Sequence, residues 1–549
     1  MTSNSQALKK KSVAPRGTRP SPRKRAKFIS PVRKHWVGSK LAKAPEGRNQ
    51  EAVVRRNSKT LLAILAITLA ATHAFAQTQL GPFEGRTDVG TTLHPGSASY
   101  DPAAKTLALS AAGENMWLSG DAFHFVWKKI SGDVALNADI AFIGQGVNEH
   151  RKAVVMLRQS LDADSPYADV ALHGSGLTSL QYRDAKGALT HEIQANISAP
   201  ARIRIEKRGQ YAYMWLASKG QSFQMAGGSV RVPLQGTFYV GIGLCSHEKD
   251  VVEKAVFSNV EITPLVASTA EPKLYSTLET ISIDSTDRRV VYVAPERFEA
   301  PNWTHDGASL IFNRKGRLET IPVAGGNPEK IDTGFAVTCN NDHGISPDSK
   351  TIAISDQTKD EDNSHVYIVP FAGGQPREIT PKGPSYWHGW SPDGKTLAFV
   401  GERNGEFDIY SIPFEGGDET RLTTAKGLDD GPDYSPDGKY IYFNSERTGH
   451  MQIWRMKADG SAQEQITHDE LNNWFPHISP DGKWMVFLTY DRSVEGHPED
   501  KDVMLRLMSL NDGKITILTK LFGGQGTINV PSWSTDSTQL AFVSYQWIP

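Results

Sequence analysis

A short phrase, an aromatic residue or Ile followed by Ser-Pro-Asp-Gly or a worn form of it, returns six times in the C-terminal half of this 549-residue chain. It reads WTHDG from Trp303, ISPDS from Ile345, WSPDG from Trp390, YSPDG from Tyr434, ISPDG from Ile478 and WSTDS from Trp533. The aspartates stand at Asp306, Asp348, Asp393, Asp437, Asp481 and Asp536, so the steps are 42, 45, 44, 44 and 55 residues. Few architectures repeat at this interval, and about 40–45 residues is the length of a four-stranded propeller blade. One blade cannot bury both of its faces, so several stack around an axis and share a core. Six phrases predict six blades over residues 272–549.

The chain ends bear on that count. After the last phrase only one strand-like run remains, QLAFVS at 539–544. Two more runs, LETISI at 278–283 and RRVVYV at 288–293, precede the first phrase and have none of their own. A last blade assembled from both ends would leave the ring no open sheet edge.

The phrase itself is structural rather than catalytic. Pro fixes φ, Asp bonds to N–H groups two residues on, and Gly takes the positive φ of a tight turn. Strand-like runs follow at a constant offset: TLAFV from Thr396, YIYFN from Tyr440 and WMVFL from Trp484. Hairpin signals at Glu402 (ERNG) and Glu446 (ERTG) then precede DIYSI and QIWRM. The unit SPDGKTLAFVGERNGEFDIYSIPFEGGDETRLT from Ser391 resembles the WD-like repeats of the TolB propeller family, a likeness that covers about half the chain. The resemblance implies fold more than activity, since such propellers serve as protein-binding platforms, sugar binders and enzyme scaffolds. It also implies protein partners at the cell envelope. TolB proper carries a different N-terminal α/β domain, so the Tol transport role is not carried over.

The N-terminus divides in two. Residues 1–57 hold 16 Lys or Arg and 2 Asp or Glu, with Pro and Ser throughout, a disordered composition. Residues 58–76 read as a secretory signal: Arg55, Arg56 and Lys59 lead an apolar run that ends in Ala74-Phe75-Ala76. The run is short of the roughly 20 apolar residues that span a bilayer, so cleavage after Ala76 is expected and no stable span remains. A signal belongs at the start of a chain. The basic stretch is therefore expected to be an upstream misreading of the start, with a long basic leader as the alternative. Residues 77–549 hold 43 basic and 59 acidic residues, a net charge of −16, which argues against a nucleic-acid partner. A periplasmic or extracellular location follows. Cys245 and Cys339 allow at most one disulfide, so no disulfide framework is implied.

Residues 77–266 lack the phrase. Runs of alternating polarity separated by turns, with almost no helical periodicity, predict a two-sheet β-sandwich or jelly roll. In ARIRIE from Ala201, Ile203 and Ile205 face one side and Arg202, Arg204 and Glu206 the other. The segments GENMW at Gly113, FHFVWKKISGD at Phe123, SLQYR at Ser179, RIRIEKRG at Arg202 and GLCSH at Gly243 resemble the concanavalin A-like domains attached to secreted carbohydrate-active proteins. A linker at 267–271 follows, and the whole is expected to be all-β: a concanavalin A-like sandwich, then a six-bladed TolB-like propeller.

Two candidate sites emerge. On the sandwich, Arg158, His173, Gln181 and Arg183 fall on like-facing strand positions and can form a polar sugar-binding patch, with Trp117, His124 and Trp127 at its rim. A buried structural network is the equal alternative. On the propeller, the residue two before each phrase's first position is Pro301, His343, His388, Pro432, Pro476 and Pro531. Histidine replaces the default proline in two adjacent repeats. Around these lie Glu299, Asn341, Asp342, Tyr386, Trp387, Asp429, Asp430, Asn473, Trp474, His477 and Asn529, the expected mouth of the channel. That mouth suits a ligand platform for carbohydrate or cell-envelope polymer. Alternatively it suits a glycan hydrolase or lyase using His343, His388 and Asp430, with a divalent metal as a variant of the enzyme reading. No HExxH, GxSxG or nucleotide loop accompanies these residues, and no cofactor is called for.

Overall fold

Each Ser-Pro-Asp-Gly phrase closes on itself through its own side chains. In the third, Ser391 Oγ donates to Asp393 Oδ1 at 2.7 Å, and the Lys395 N–H donates to the same oxygen at 3.1 Å. The Thr396 N–H returns to Ser391 Oγ at 2.9 Å. The Ser–Asp bond recurs at Ser346, Ser435, Ser479 and Ser534. Gly394 takes φ +69°, and in the worn phrases Ser349 and Ser537 occupy the same left-handed region at +60° and +63°. Their hydroxyls reach the preceding phrase: Ser349 Oγ meets His305 Nδ1 at 3.0 Å, and Ser537 Oγ accepts the Asp481 N–H at 3.0 Å. A neighbour-to-neighbour bond thus offsets the left-handed strain.

The computed structural model describes residues 80–548, so the basic extension (1–57) and the signal segment (58–76) lie outside the described residues. Five antiparallel four-stranded blades follow one another, with inner strands Glu299–Trp303, Cys339–Ile345, Ser385–Trp390, Asp429–Tyr434 and Asn472–Ile478. Aromatic residues of the phrases lock adjacent blades. Trp390 Nε1 donates to the Gly344 carbonyl at 3.1 Å, and Trp533 Nε1 to the His477 carbonyl at 3.0 Å. The Trp387 ring lies so close to Gly344 that an added Cβ would stand 2.0 Å from Cη2.

The expected sixth four-stranded blade is not formed. Lys273–Ser282 pairs with Gln539–Ile548 on one side and with Arg288–Ala294 on the other, joining the two ends of the propeller sequence. That set does not stop there: His191–Gln194 of the N-terminal module pairs in parallel with Arg288–Ala294, and the strands become part of a ten-stranded sheet. At the axis the last phrase contributes only an isolated bridge, Trp533 to Leu540. The propeller therefore has five separate blades, and its closing strands are shared with the preceding module. Glu279 knots those strands together. Its carboxylate takes Arg288 Nε and Nη2 at 2.8 and 2.7 Å and Ser544 Oγ at 2.5 Å, all out of solvent.

In the N-terminal module a seven-stranded sheet, with Val134–Ile143 and Glu248–Pro264 near its middle, faces the ten-stranded sheet. They share one apolar core containing Leu109, Leu136, Ile203 and Ile205 from the first sheet and Val126, Val155, Val170 and Ile242 from the second. Residues 265–272 carry no strand. Cys245 and Cys339 are both buried free thiols.

Removing a partner from a buried ion pair strands the other charge, at a cost of about 3–5 kcal/mol. Urea unfolding of Glu279→Ala is expected to show a loss of that size. Gly344→Ala overpacks the Trp387 contact and is expected to lose about 1–3 kcal/mol in the same assay.

Candidate functional site

Every inner strand is irregular at the same level. The pairing register slips between Glu299 and Asn302, Cys339 and His343, Trp387 and Gly389, Asp430 and Asp433, and Trp474 and His477. Ala300, Gly431 and Phe475 take φ of +56°, +62° and +53° there. A bulge re-aims side chains and ends regular pairing. Here the bulges ring a cavity of about 530 Å³, to which the successive inner strands supply Glu299, Asp342, His388, Asp430 and Phe475, and the segment before the last phrase supplies Asn529.

The histidines of the cavity lean on one carboxylate. His388 Nε2 lies 3.2 Å from Asp430 Oδ1, and His497 Nε2 lies 3.8 Å from Asp430 Oδ2. His497 Nδ1 is bonded to Gln525, and its ring stands edge-on to Trp474 and Phe475. The His388 ring stacks on Phe475 with centroids 6.1 Å apart. Burial opposes a charge on His388, but Asp342 and Asp430 outweigh it and raise its pKa. Burial likewise works against charge on Asp430, yet His388 and His497 hold its carboxyl below the usual range. The other two carboxyls go the opposite way. Burial lifts Glu299 to about 7, with the Asp342 charge adding to it and Arg297 opposing. Burial, reinforced by Asp430, lifts Asp342 to about 6 against the pull of His388.

Of the sequence candidates, Glu299, Asn341, Asp342, Tyr386, His388, Asp430 and Asn529 meet in this cavity. The rest do not line it. His343 is fully buried, neither ring nitrogen has a hydrogen-bond partner, and burial lowers its pKa to about 4. The expected His343–His388 partnership is therefore corrected to His388 with Asp430 and His497. Trp387 and Trp474, expected at the mouth, are each 1% exposed and packed in the propeller core, so neither offers a face to a ligand. Arg447 Nη2 donates to both Asp429 oxygens, at 2.8 and 3.0 Å. Asn473 accepts the Thr489 hydroxyl at 2.9 Å, and His477 Nε2 meets the Ile528 carbonyl at 2.8 Å. These are framework contacts. Among the described residues no group of three or more His, Cys, Asp or Glu is arranged to hold a metal ion, including the set proposed from sequence.

Sequence reasoning missed His497, Phe475, Gln525 and Asn340. A signal for His497 was present: the last interval is 55 residues instead of 44, and the excess falls in the loop at 491–500 that carries it. Phe475, which is buried, could not be found by pattern, since the bulge brings it to the cavity wall.

The sandwich patch is also corrected. Arg158, His173, Gln181 and Arg183 do share a face, but all are 4% exposed or less. Arg183 grips Asp121 at 2.8 and 3.0 Å, and Arg158 reaches the same carboxylate at 3.3 Å. Arg183 also bonds the carbonyls of Leu118, Ala163, Ser165 and Ala188, pinning loops over the sheet. Gln181 joins Glu192 at 3.0 Å and Lys152 at 3.3 Å. The face is filled by its own hairpin, Met116–Trp117 with Gly120–Asp121, and offers no open sugar patch.

A carboxyl whose pKa rises on folding binds more proton in the folded than in the unfolded state. Stability it contributes at low pH is then lost as pH rises from about 4.5 toward 7. Chemical denaturation of wild type and Glu299→Gln across this range should diverge, the variant gaining up to about 3 kcal/mol relative to wild type by pH 8.

A family model described as the TolB β-propeller domain matches residues 344–546. The uncharacterized protein Atu1656 of Agrobacterium fabrum (strain C58) is 52% identical over 271 residues, which is 49% of this chain and 92% of that protein. A solved structure provisionally described as TolB from Agrobacterium tumefaciens is 51% identical, covering 50% of this chain and 99% of its own, with a TM-score of 0.49. TolB from Acinetobacter baumannii is 19% identical, covering 59% of this chain and 81% of its own, with a TM-score of 0.38. With the repeat phrase, the bladed fold and a relative matched over nearly its whole length, the chain belongs to the TolB-like β-propeller family.

Proposed function

We propose that this is an exported binding protein of the cell envelope, periplasmic or extracellular, whose propeller takes a ligand into the axial cavity. Carbohydrate or cell-envelope polymer is the favoured ligand. The observation that carries the reading is the cavity lining, where carboxyl and amide groups (Glu299, Asp342, Asn341, Asn529) stand together with the half-buried rings of Tyr386 and Phe407. Planar polar groups bond sugar hydroxyls while rings cover C–H faces, and a cavity of this size suits one or two sugar units. Membership of the TolB-like family supports a binding or interaction role and a protein partner at the envelope. The two-sheet core of the N-terminal module supports its concanavalin A-like reading, in which it acts as a rigid companion to the propeller. Among the described residues no helix is long and apolar enough to cross a membrane.

A second reading rests on the His388–Asp430 pair. Asp342 and Asp430 favour the protonated form of His388, so an enzyme built here would use it as the general acid of a glycan hydrolase or lyase.

A glycan-array and hydrolysis screen on residues 77–549, run with and without added divalent metal, separates the two. The binding reading expects retention of at least one glycan with no product. It also expects Tyr386→Ala to weaken retention roughly tenfold, about 1.4 kcal/mol. Turnover that disappears in His388→Ala while affinity survives would establish the enzyme instead. Neither binding nor product would leave a protein-interaction scaffold.

A further inference from the structure

The axial cavity holds more negative groups than it answers. Its lining contains three carboxyls, Glu299, Asp342 and Asp430, and neither Lys nor Arg. Both lining histidines turn to Asp430. Among the described residues, Glu299 and Asp342 have no cation within salt-bridge distance, and the hydrogen bond to Asp342 from a side chain is that of Asn340 Nδ2 at 2.9 Å. His388, on the same wall and 3% exposed, has no hydrogen-bond partner for Nδ1. The rings of Tyr386 and Phe407 also line it, together with the amides of Asn341, Gln525 and Asn529.

Two unanswered carboxyls beside aromatic faces form the chemistry that attracts an organic cation, because carboxylates accept its N–H bonds and π faces attract its charge. A compact metal ion fits less well, since no three ligating groups converge. An anionic sugar would add a further negative group to a desolvated site where Asp430 is already charged and would keep Glu299 and Asp342 from ionising. We infer that the axial cavity selects a ligand bearing a primary ammonium group, an amino-sugar residue in the carbohydrate reading, over its neutral and anionic counterparts.

This inference rests on the carbohydrate reading for the sugar and on the cavity alone for the ammonium group. Binding such a cation favours the charged forms of Glu299 and Asp342, so it expels protons from a site that holds them when empty.

Isothermal titration of residues 77–549 with four probes tests it: the methyl glycosides of glucosamine, N-acetylglucosamine and glucuronic acid, and Nα-acetyl-lysine methylamide. The glucosamine probe should bind at least tenfold more tightly than the N-acetyl probe, with the glucuronide weakest. Its binding should release protons, seen as a heat that varies with the buffer's ionisation enthalpy, and should tighten from pH 5.5 to 7. Glu299→Gln and Asp342→Asn, both near-isosteric, should each weaken it about tenfold. The wild-type panel needs no variant to fold. Equal or tighter binding of the N-acetyl probe overturns the ammonium selection and leaves the carbohydrate reading standing. Tight binding of the lysine probe alone upholds the ammonium selection and overturns the sugar. Failure of all four overturns both.

Discussion

The site depends on the pairing of Lys273–Ser282 with Gln539–Ile548, which fastens the beginning of the propeller sequence to its end. Without it, the first inner strand and the segment before the last phrase would not meet. In the closed form the Ala300 N–H donates to the Gly526 carbonyl at 2.6 Å, and the Gly526 N–H donates to Asn529 Oδ1 at 2.7 Å. These bonds set Glu299 and Asn529 into the same cavity as Asp342, His388 and Asp430. The buried Glu279–Arg288–Ser544 knot holds this seam from the outside. Continuation of the sheet into His191–Gln194 means that the N-terminal module covers what would otherwise be an open strand edge.

Ring closure also explains the electrostatics. Inner strands arranged around an axis present equivalent positions to one another, and the bulge in each turns those positions inward. Where three of them carry carboxyls, burial and mutual repulsion drive the pKa values apart. Asp430, served by two histidines, stays charged, while Glu299 and Asp342 rise toward neutrality. Divergent carboxyls in one cavity mark a functional site more often than a structural one. Framework carboxylates of this protein look different: Asp429 and Asp121 are each met by an arginine.

Much of this was legible from residues alone, for physical reasons that can be named. The phrase encodes its own turn, so its spacing gives the blade length, and His388 stands out because proline is the default at its position. Other features have no local trace. Trp387 and Trp474 fall at the expected mouth by sequence position, but inter-blade packing buries them. Arg158 and Arg183 lie on one sheet face, as strand alternation expects. What covers that face is a hairpin from elsewhere in the chain, which strand periodicity cannot report. The parallel pairing of His191–Gln194 with Arg288–Ala294 joins segments almost a hundred residues apart. It turned an expected sixth blade into part of a larger sheet.

Ring closure thus builds a desolvated acidic cavity at the axis. The most direct test is a carboxyl titration of the free protein by NMR, with 13C-labelled glutamate and Glu299→Gln to assign the resonance. Glu299 is expected to titrate at about 7, well above an ordinary glutamate. A midpoint near 4.5 would show a solvated carboxyl at an open mouth and would contradict it.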